Sequence, residues 1–537
     1  MSSFYTSEKL KTLTIKSFRD SLKDVSPEKI GYIFLSKTSQ YPDENVVTNL
    51  SDTTLDEKKI WDEMIIAKRI LSKDVEFVIP RYNWEPGRRY KQYDDTIPLK
   101  DLLEMSMDGN VPVYPMYVMN ADGDVYKCLS NAVNEPSQTE PTGNFTTNNG
   151  FIRTENGNDT FYLWKYMYNV KNYSKFLTND WMPVPFIEAN SDYTIYTYSA
   201  NSTIEGTINE IVLTNRGTNY YHTNVNVQSF TANTRELLIT DDINLPTTNT
   251  INVNMLVTGT GLNSNKIYIS QIDPAKPKTL ILSDKTTSAG GGSNTANIIT
   301  ISTRVSVIGD GNNVTSSVDL FANNVIRKIN VINSGNNYTR ANVIIYGSVN
   351  SSNATARVIL PPPFGHGYNP ALELGATNLM IISRIGEVDA TENNQIPVNV
   401  DFRQYGLLID PYKYGENEAM TPNNALDVVS QTTDVTLISP SSFVIGETVY
   451  QGNTSNPTFT GSVVSQSSNI VKLNNTYKQP VPGLNLIGLQ SGTPNPVVSV
   501  SNPDLKKYTG DVLFARNILK VQRNISQAEE VKLVFQF

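Results

Sequence analysis

The chain has 537 residues, of which 39% are hydrophobic and 18% charged, and its formal net charge is −8. That length suits two to four domains, and the absence of any basic block argues against a nucleic-acid partner or a polybasic membrane-binding surface. Low charge with abundant Asn, Thr, Ser, Tyr and Gly favours short strands and turns, so the expected class is mainly β: a multi-domain β-sandwich protein with a few N-terminal helices and inserted β domains. One cysteine, Cys128, excludes an intrachain disulfide and permits folding in a reducing cytoplasm. The start, Met1 to Tyr5, lacks the apolar core of a signal peptide, and no window approaches the roughly 18 apolar residues of a membrane-spanning helix.

In chain order, Leu10, Leu13, Phe18 and Leu22 recur near helical spacing between Ser7 and Lys23. A second helix is expected from an N-cap near Asp52, with Asp56 and Glu57 in its first turn. Ile60, Trp61, Met64, Ile65, Ala67, Ile70 and Leu71 would form one broad apolar stripe on it. From Val75 the pattern turns to short extended runs. Residues 111–119 and 125–129 flank Asp122-Gly123, a pair suited to a tight hairpin turn. The loop carrying Asn120, Asp122 and Asp124 lacks the glycine and the closing acid of a calcium loop. Tyr162, Trp164, Tyr166 and Tyr168 have period two and would share one strand face, as a core or interface face in preference to a sugar platform.

Between about Asn201 and Leu360 charge falls and an internal repeat appears. Ile208 to Tyr220 matches Ile326 to Tyr338 at a constant offset of 118 residues, each copy carrying an Asn-x-Gly-x-Asn-Tyr turn with Gly217 and Tyr220 or Gly335 and Tyr338. Two copies this far apart suggest a paired or sandwiched β domain and not a solenoid. A second β-rich stretch, 434–504, reads as a small barrel or sandwich, and two strands near 511–514 and 531–535 close the chain. The expected organisation is therefore 1–200 as helices plus core β-sandwich, 201–360 as inserted β domain, 361–433 as a return to the core, 434–504 as a second insert, and 505–537 as completing strands.

Chemistry is sparse. The two histidines, His222 and His366, have no ligand at metal spacing, and Gly290-Gly-Gly292 and Gly309-Asp-Gly311 lack the Lys-Ser/Thr of a phosphate loop. There is no Gly-x-Ser-x-Gly elbow, although a Ser–His–Asp triad stays open on sequence alone. Asp94-Asp95 and Glu529-Glu530, as strand neighbours, would point to opposite faces. The expectation is no catalytic, metal or cofactor site.

Several motifs together resemble the baseplate wedge subunit of T-even-type contractile-tailed phages, in an enlarged form. They are Tyr126-Lys127-Cys128 within 125–130; Glu140-Pro141-Thr142-Gly143; Trp164-Lys165-Tyr166 within 162–168; Gly365-His366-Gly367 with Asn369-Pro370 and Glu373; and Phe402-Arg403-Gln404 with Asp410-Pro411. The sequence departs at Phe364, where that family often has Gly, and in carrying 201–360 and 434–500. The resemblance implies a virion protein of the tail baseplate, a homodimer docking onto other wedge proteins, with tail-fibre or peripheral baseplate proteins as further partners. It also implies a part in the rearrangement that triggers sheath contraction. On that view the segment around His366 is a packed turn beside an interface. The alternatives are a host-glycan-binding module carried by the inserts and, less favoured, a cell-wall glycosidase.

Overall fold

The structure, a computed structural model, describes residues 7–22, 29–131, 134–157, 160–187, 204–241, 243, 251–262, 266–287, 290–291, 298–386, 400–523 and 528–536. Strand accounts for 48% of it and helix for 10%, so the fold is mainly β. Two compact units are formed by Met1–Val78 with Ala376–Phe537 and by Ile79–Gly375. The divisions fall inside the expected segments 1–200 and 361–433, because residues 361–375 are tied by side chains to the strand Asp124–Asn131.

In the first unit the helix Glu8–Ser21 starts at Ser7, whose hydroxyl accepts from the Lys9 amide at 3.2 Å. Its buried positions are Thr12, Ile15 and Ser21, continued by Leu22. Of the expected stripe Leu22 is buried and Phe18 half-buried, but Leu10 and Leu13 are exposed, so only its C-terminal half packs. The Arg19 guanidinium lies 5.0 Å from the Phe77 ring centre and 3.3 Å from Glu76, which selects the face that docks. The helix Thr54–Glu63 is capped by Thr53 and buries Ile60 and Trp61. It ends there. The apolar residues after Glu63 belong to the strand Ile66–Arg69, paired with Gly31–Ser36 on one side and Val428–Ser430 on the other. A continuous buried run at Met64 to Ala67 suits a central strand as well as a helix, and sheet pairing decided the outcome. Val400–Ile409 and Asp511–Arg523 complete this five-stranded sheet.

The strand Glu529–Gln536 instead pairs with Asn378–Ile385 in a separate sheet, which also receives Val75–Pro80. Thr433–Leu437, Thr448–Asn453, Asn456–Ser467, Ile470–Tyr477, Asn485–Gly488 and Pro494–Ser501 close into a barrel. Val435, Leu437, Val449, Phe459, Leu473 and Val497 are among the side chains filling it.

In the second unit Tyr117–Met119, Asp124–Asn131, Thr160–Asn169 and Phe151–Gly157 form one antiparallel sheet in that order. The hairpin is shorter than its sequence pattern. Beyond Pro115, Val111–Tyr114 joins Arg89–Tyr90 and Ser106–Asp108 instead. Gly123 turns the hairpin with φ +82°. Tyr162, Trp164 and Tyr166 are buried with Tyr90, Tyr126 and Cys128, so the aromatic face is core and not a sugar platform. Tyr162 stacks on Trp164 at 5.3 Å, and Tyr168 is buried outside that cluster.

The repeat folds as a pseudo-symmetric pair. Its first strands, Ile211–Thr218 and Ile326–Asn336, meet antiparallel at Ile211 and Ile329, which are equivalent positions of the two copies, so a local two-fold passes between them. Each first strand takes its outer neighbour from the other copy. Ile211–Thr218 pairs with Ser352–Val358, which follows the second copy. Ile326–Asn336 pairs with Asn312–Leu320, which precedes it. Tyr220 packs on Gly217 and Gly347, and Tyr338 packs on Gly335 and Gly311. Within the first copy a further sheet is built onto the strand His222–Phe230 by strands from the chain before Arg304, its core formed by residues such as Val225, Leu237, Val257, Leu280 and Ile299. The interlock makes the two copies mutually dependent, as expected of a paired domain.

Gly335 and Gly109 test this packing because both have φ +61°, but only Gly335 is hemmed in: a Cβ there would lie 2.4 Å from the Asn312 carbonyl oxygen. Gly109→Ala is expected to cost about 1 kcal/mol from backbone strain alone. Gly335→Ala is expected to cost a further 1–3 kcal/mol or so from the clash. Urea unfolding of both variants measures the difference.

Candidate functional site

The motif residues converge on one buried polar centre in the second unit. Lys127, on Asp124–Asn131, and Lys165, on Thr160–Asn169, are direct cross-strand partners. Both are fully buried, on the face away from the Tyr126, Cys128 and Trp164 cluster. Two cations facing each other out of water would split the sheet without a counter-ion. Glu373 supplies it: Lys127 Nζ donates to its Oε2 at 2.8 Å. The other oxygen, Oε1, accepts from the Gly367 amide at 2.7 Å and the Asn369 amide at 3.4 Å.

Lys127 Nζ also lies 3.2 Å from His366 Nδ1 and 4.1 Å from the Tyr93 ring centre. A protonated lysine has only donors, so Nδ1 accepts and the imidazole proton sits on Nε2. The His366 ring stands edge-on to Tyr93 at 4.9 Å. Lys165 Nζ donates to the Asn149 carbonyl at 2.6 Å and lies over the Phe151 ring. Burial, reinforced by both lysine charges, holds His366 well below its ordinary pKa and therefore neutral. Burial also lowers Lys127, and lowers Lys165 to about 8, where Glu373 opposes the shift and Lys127 adds to it.

Local sequence delivers Glu373. Asn369 caps the short helix Pro370–Glu373 through Leu372 N, its own amide reaches the Ile187 carbonyl at 2.9 Å, and Pro370 occupies the first turn. Gly365 has φ +90°, and a Cβ there would lie 2.7 Å from the Ile204 carbonyl. Phe364, where the sequence departs from the motif, has φ +68° and stacks on Tyr368 at 4.6 Å. A glycine at that position would meet the backbone requirement without strain.

Several of the remaining motif residues are engaged within the fold. Glu140 accepts from Ala121 N, the Pro141 carbonyl accepts from Asn120, and the Gly143 carbonyl accepts from Tyr126 at 2.6 Å, so this turn clamps the hairpin; Thr142 is exposed. Asn120 Oδ1 is taken by the Asp122 and Asp124 amides, and no group of metal-binding side chains occurs among the described residues. Arg403 and Gln404 lie in the first unit, where buried Arg403 grips both Glu44 oxygens and Gln404 donates to Asn517. His222 contacts the Val318 carbonyl. Asp94 and Asp95 do not point apart as strand neighbours would. Both bind Arg357, because they sit in a loop.

Sequence reading does not single out a second centre. Lys328 Nζ donates to Ser130 Oγ at 3.3 Å, and Ser130 also bonds to Glu210, whose carboxyl is pushed up by burial and drawn back by Lys328. Glu210 and Lys328 occupy equivalent places in the two repeat copies, a signal present in the 118-residue offset. No family model matches the chain, and no curated protein matches it.

Lys127→Met strands a buried carboxylate and is expected to destabilise by about 3–5 kcal/mol. Adding Glu373→Gln, which keeps an acceptor for Gly367 N, is expected to cost less than the sum of the single changes by at least about 1 kcal/mol in a urea-based double-mutant cycle. The depressed Lys165 pKa sets a pH signature. Between about 8 and the roughly 10.4 of a free lysine the unfolded state holds more protons, so stability rises with pH across that window and Lys165→Met flattens the rise.

Proposed function

We propose that the chain is a non-catalytic structural subunit of a contractile phage tail, a baseplate wedge protein that works as a homodimer docked to other wedge proteins. The observation that carries this reading is where the motif residues lie. Lys127, His366 and Glu373 direct their polar atoms at one another inside the second unit, and buried Arg403 is held by the partly exposed Glu44 in the first. A nucleophile, base or ligand needs access to a reactant. These groups instead spend their bonding capacity on holding segments together.

The order of the motifs along the chain supports the family reading. The function it implies is mechanical. Large, obligate interfaces would pass baseplate movement to the sheath, and buried ion pairs would keep each unit rigid while it moves. The segment around His366 is, on this reading, a packed turn that shapes a neighbouring docking surface.

The purified protein is expected to have twice the 59.7 kDa mass of one chain by light scattering, and to enter a larger stoichiometric complex with candidate wedge proteins. A monomer that ignores those proteins overturns the proposal. His366→Ala is expected to weaken dimer or wedge assembly by about tenfold or more. Intact assembly in that variant removes the role assigned to this turn.

A further inference from the structure

A cleft of about 360 Å³ lies in the second unit between Ile326–Asn336 and one face of the paired strands Phe151–Gly157 and Thr160–Asn169. Its volume is at the lower end of the about 300–1,000 Å³ typical of small-molecule sites. Its polar lining is dominated by amide side chains with bonding capacity to spare. Asn148 and Asn330 use only their NH2 groups and leave Oδ1 open. Among the described residues, Asn333 uses only Oδ1 and leaves its NH2 open, and the exposed Asn149 side chain makes no hydrogen bond, whereas Asn209 is fully engaged with Thr207 and Ser334. Arg153 stands beside them, paired with exposed Glu155 and lying over the Phe161 ring.

The apolar lining is aliphatic. Ile204 and Ile332 stand exposed at the cleft and Leu163 is half-buried in it, whereas Val331 packs into the core of the repeat module. Phe161 does not offer a stacking surface, because Arg153 and Lys328 lie 3.7 Å and 4.2 Å from its ring centre. Amides that can both give and take hydrogen bonds, set among aliphatic side chains, match a ligand with the same alternation: hydroxyl and amide groups around C–H and methyl surfaces.

We propose that this cleft binds a short oligosaccharide carrying acetamido groups. The acetamido N–H and C=O exchange hydrogen bonds with Asn333 and Asn330, its methyl packs against Leu163 and Ile332, and Arg153 donates to ring hydroxyls. The proposal goes beyond the structural role and does not depend on it, since a dimeric wedge protein can have or lack such a site. Glu210 and Lys328, which also line the cleft, are spoken for by Ser130 and anchor its floor.

The test is calorimetric titration of the full chain with N,N′-diacetylchitobiose, and with cellobiose as the same linkage without acetamido groups. Binding of the first at least about fivefold tighter than the second is expected, the loss corresponding to roughly one hydrogen bond and one methyl contact. Arg153→Ala is expected to weaken binding by about fivefold. Leu163→Trp, which fills the cleft, is expected to abolish it, with the thermal midpoint of each variant checking that the fold survives. No heat with either sugar, equal affinity for both, or affinity unchanged in folded Leu163→Trp overturns the proposal. None of these outcomes bears on the dimer mass, so the two proposals fail separately.

Discussion

Two lysines facing each other across adjacent strands, out of reach of water, set the terms for the second unit. An ammonium in an apolar interior carries a desolvation cost of several kcal/mol, and a second one opposite adds repulsion. One carboxylate must therefore be brought in from elsewhere and held at bonding distance, and Glu373 comes from 246 residues further along the chain. Its arrival dictates the backbone around it. The Gly367 and Asn369 amides must turn inward to the second oxygen, Gly365 must pass against the Ile204 carbonyl, and Asn369 must start a helix at once. His366 fills the remaining space as a neutral acceptor, because a third cation there would be untenable. The ion pair need not be worth much in net stability against an apolar equivalent. Its force lies in the cost of breaking it, which makes the attachment of residues 361–375 specific.

The same strand carries the second anchor. Ser130, three residues after Lys127, receives Lys328 and bonds to Glu210, one residue from each copy of the repeat. A module with an internal two-fold would present similar surfaces in two orientations. Opposite charges at equivalent positions remove that degeneracy, since a hydroxyl that donates to one and accepts from the other distinguishes them. The exchanged outer strands and the Tyr220 and Tyr338 contacts with glycines then lock the copies together. The cleft with the open amides lies beside this junction, where the Ser130 contacts with Lys328 and Glu210 join one of its walls to the other.

Legibility in the sequence varied with how local the cause was. The duplicated turn was readable because Asn-x-Gly-x-Asn-Tyr names the positive-φ residue and the ring that covers it. The Asp122-Gly123 hairpin and the Ser7 start of the first helix were readable for the same reason. The run after Glu63 was misjudged as helix because a fully buried strand has no period to betray it, and only its two strand neighbours decided the matter. Asp94 and Asp95 were misjudged because a loop, not a strand, presents both to Arg357. Lys127, Lys165 and His366 stood out as motif residues, but nothing in their spacing paired them with Glu373.

The sequence by itself determined the mainly β class, the two-copy module and the turns, since each depends on short-range periodicity, backbone propensity and glycine geometry acting within a few residues. The tertiary structure alone decided which face of the first helix packs, that residues 361–375 belong with Asp124–Asn131, and that two lysines, a histidine and a glutamate share one site. Those outcomes depend on burial and on charge compensation between residues far apart in the chain. Neither quantity exists until the strands have paired and water has been excluded.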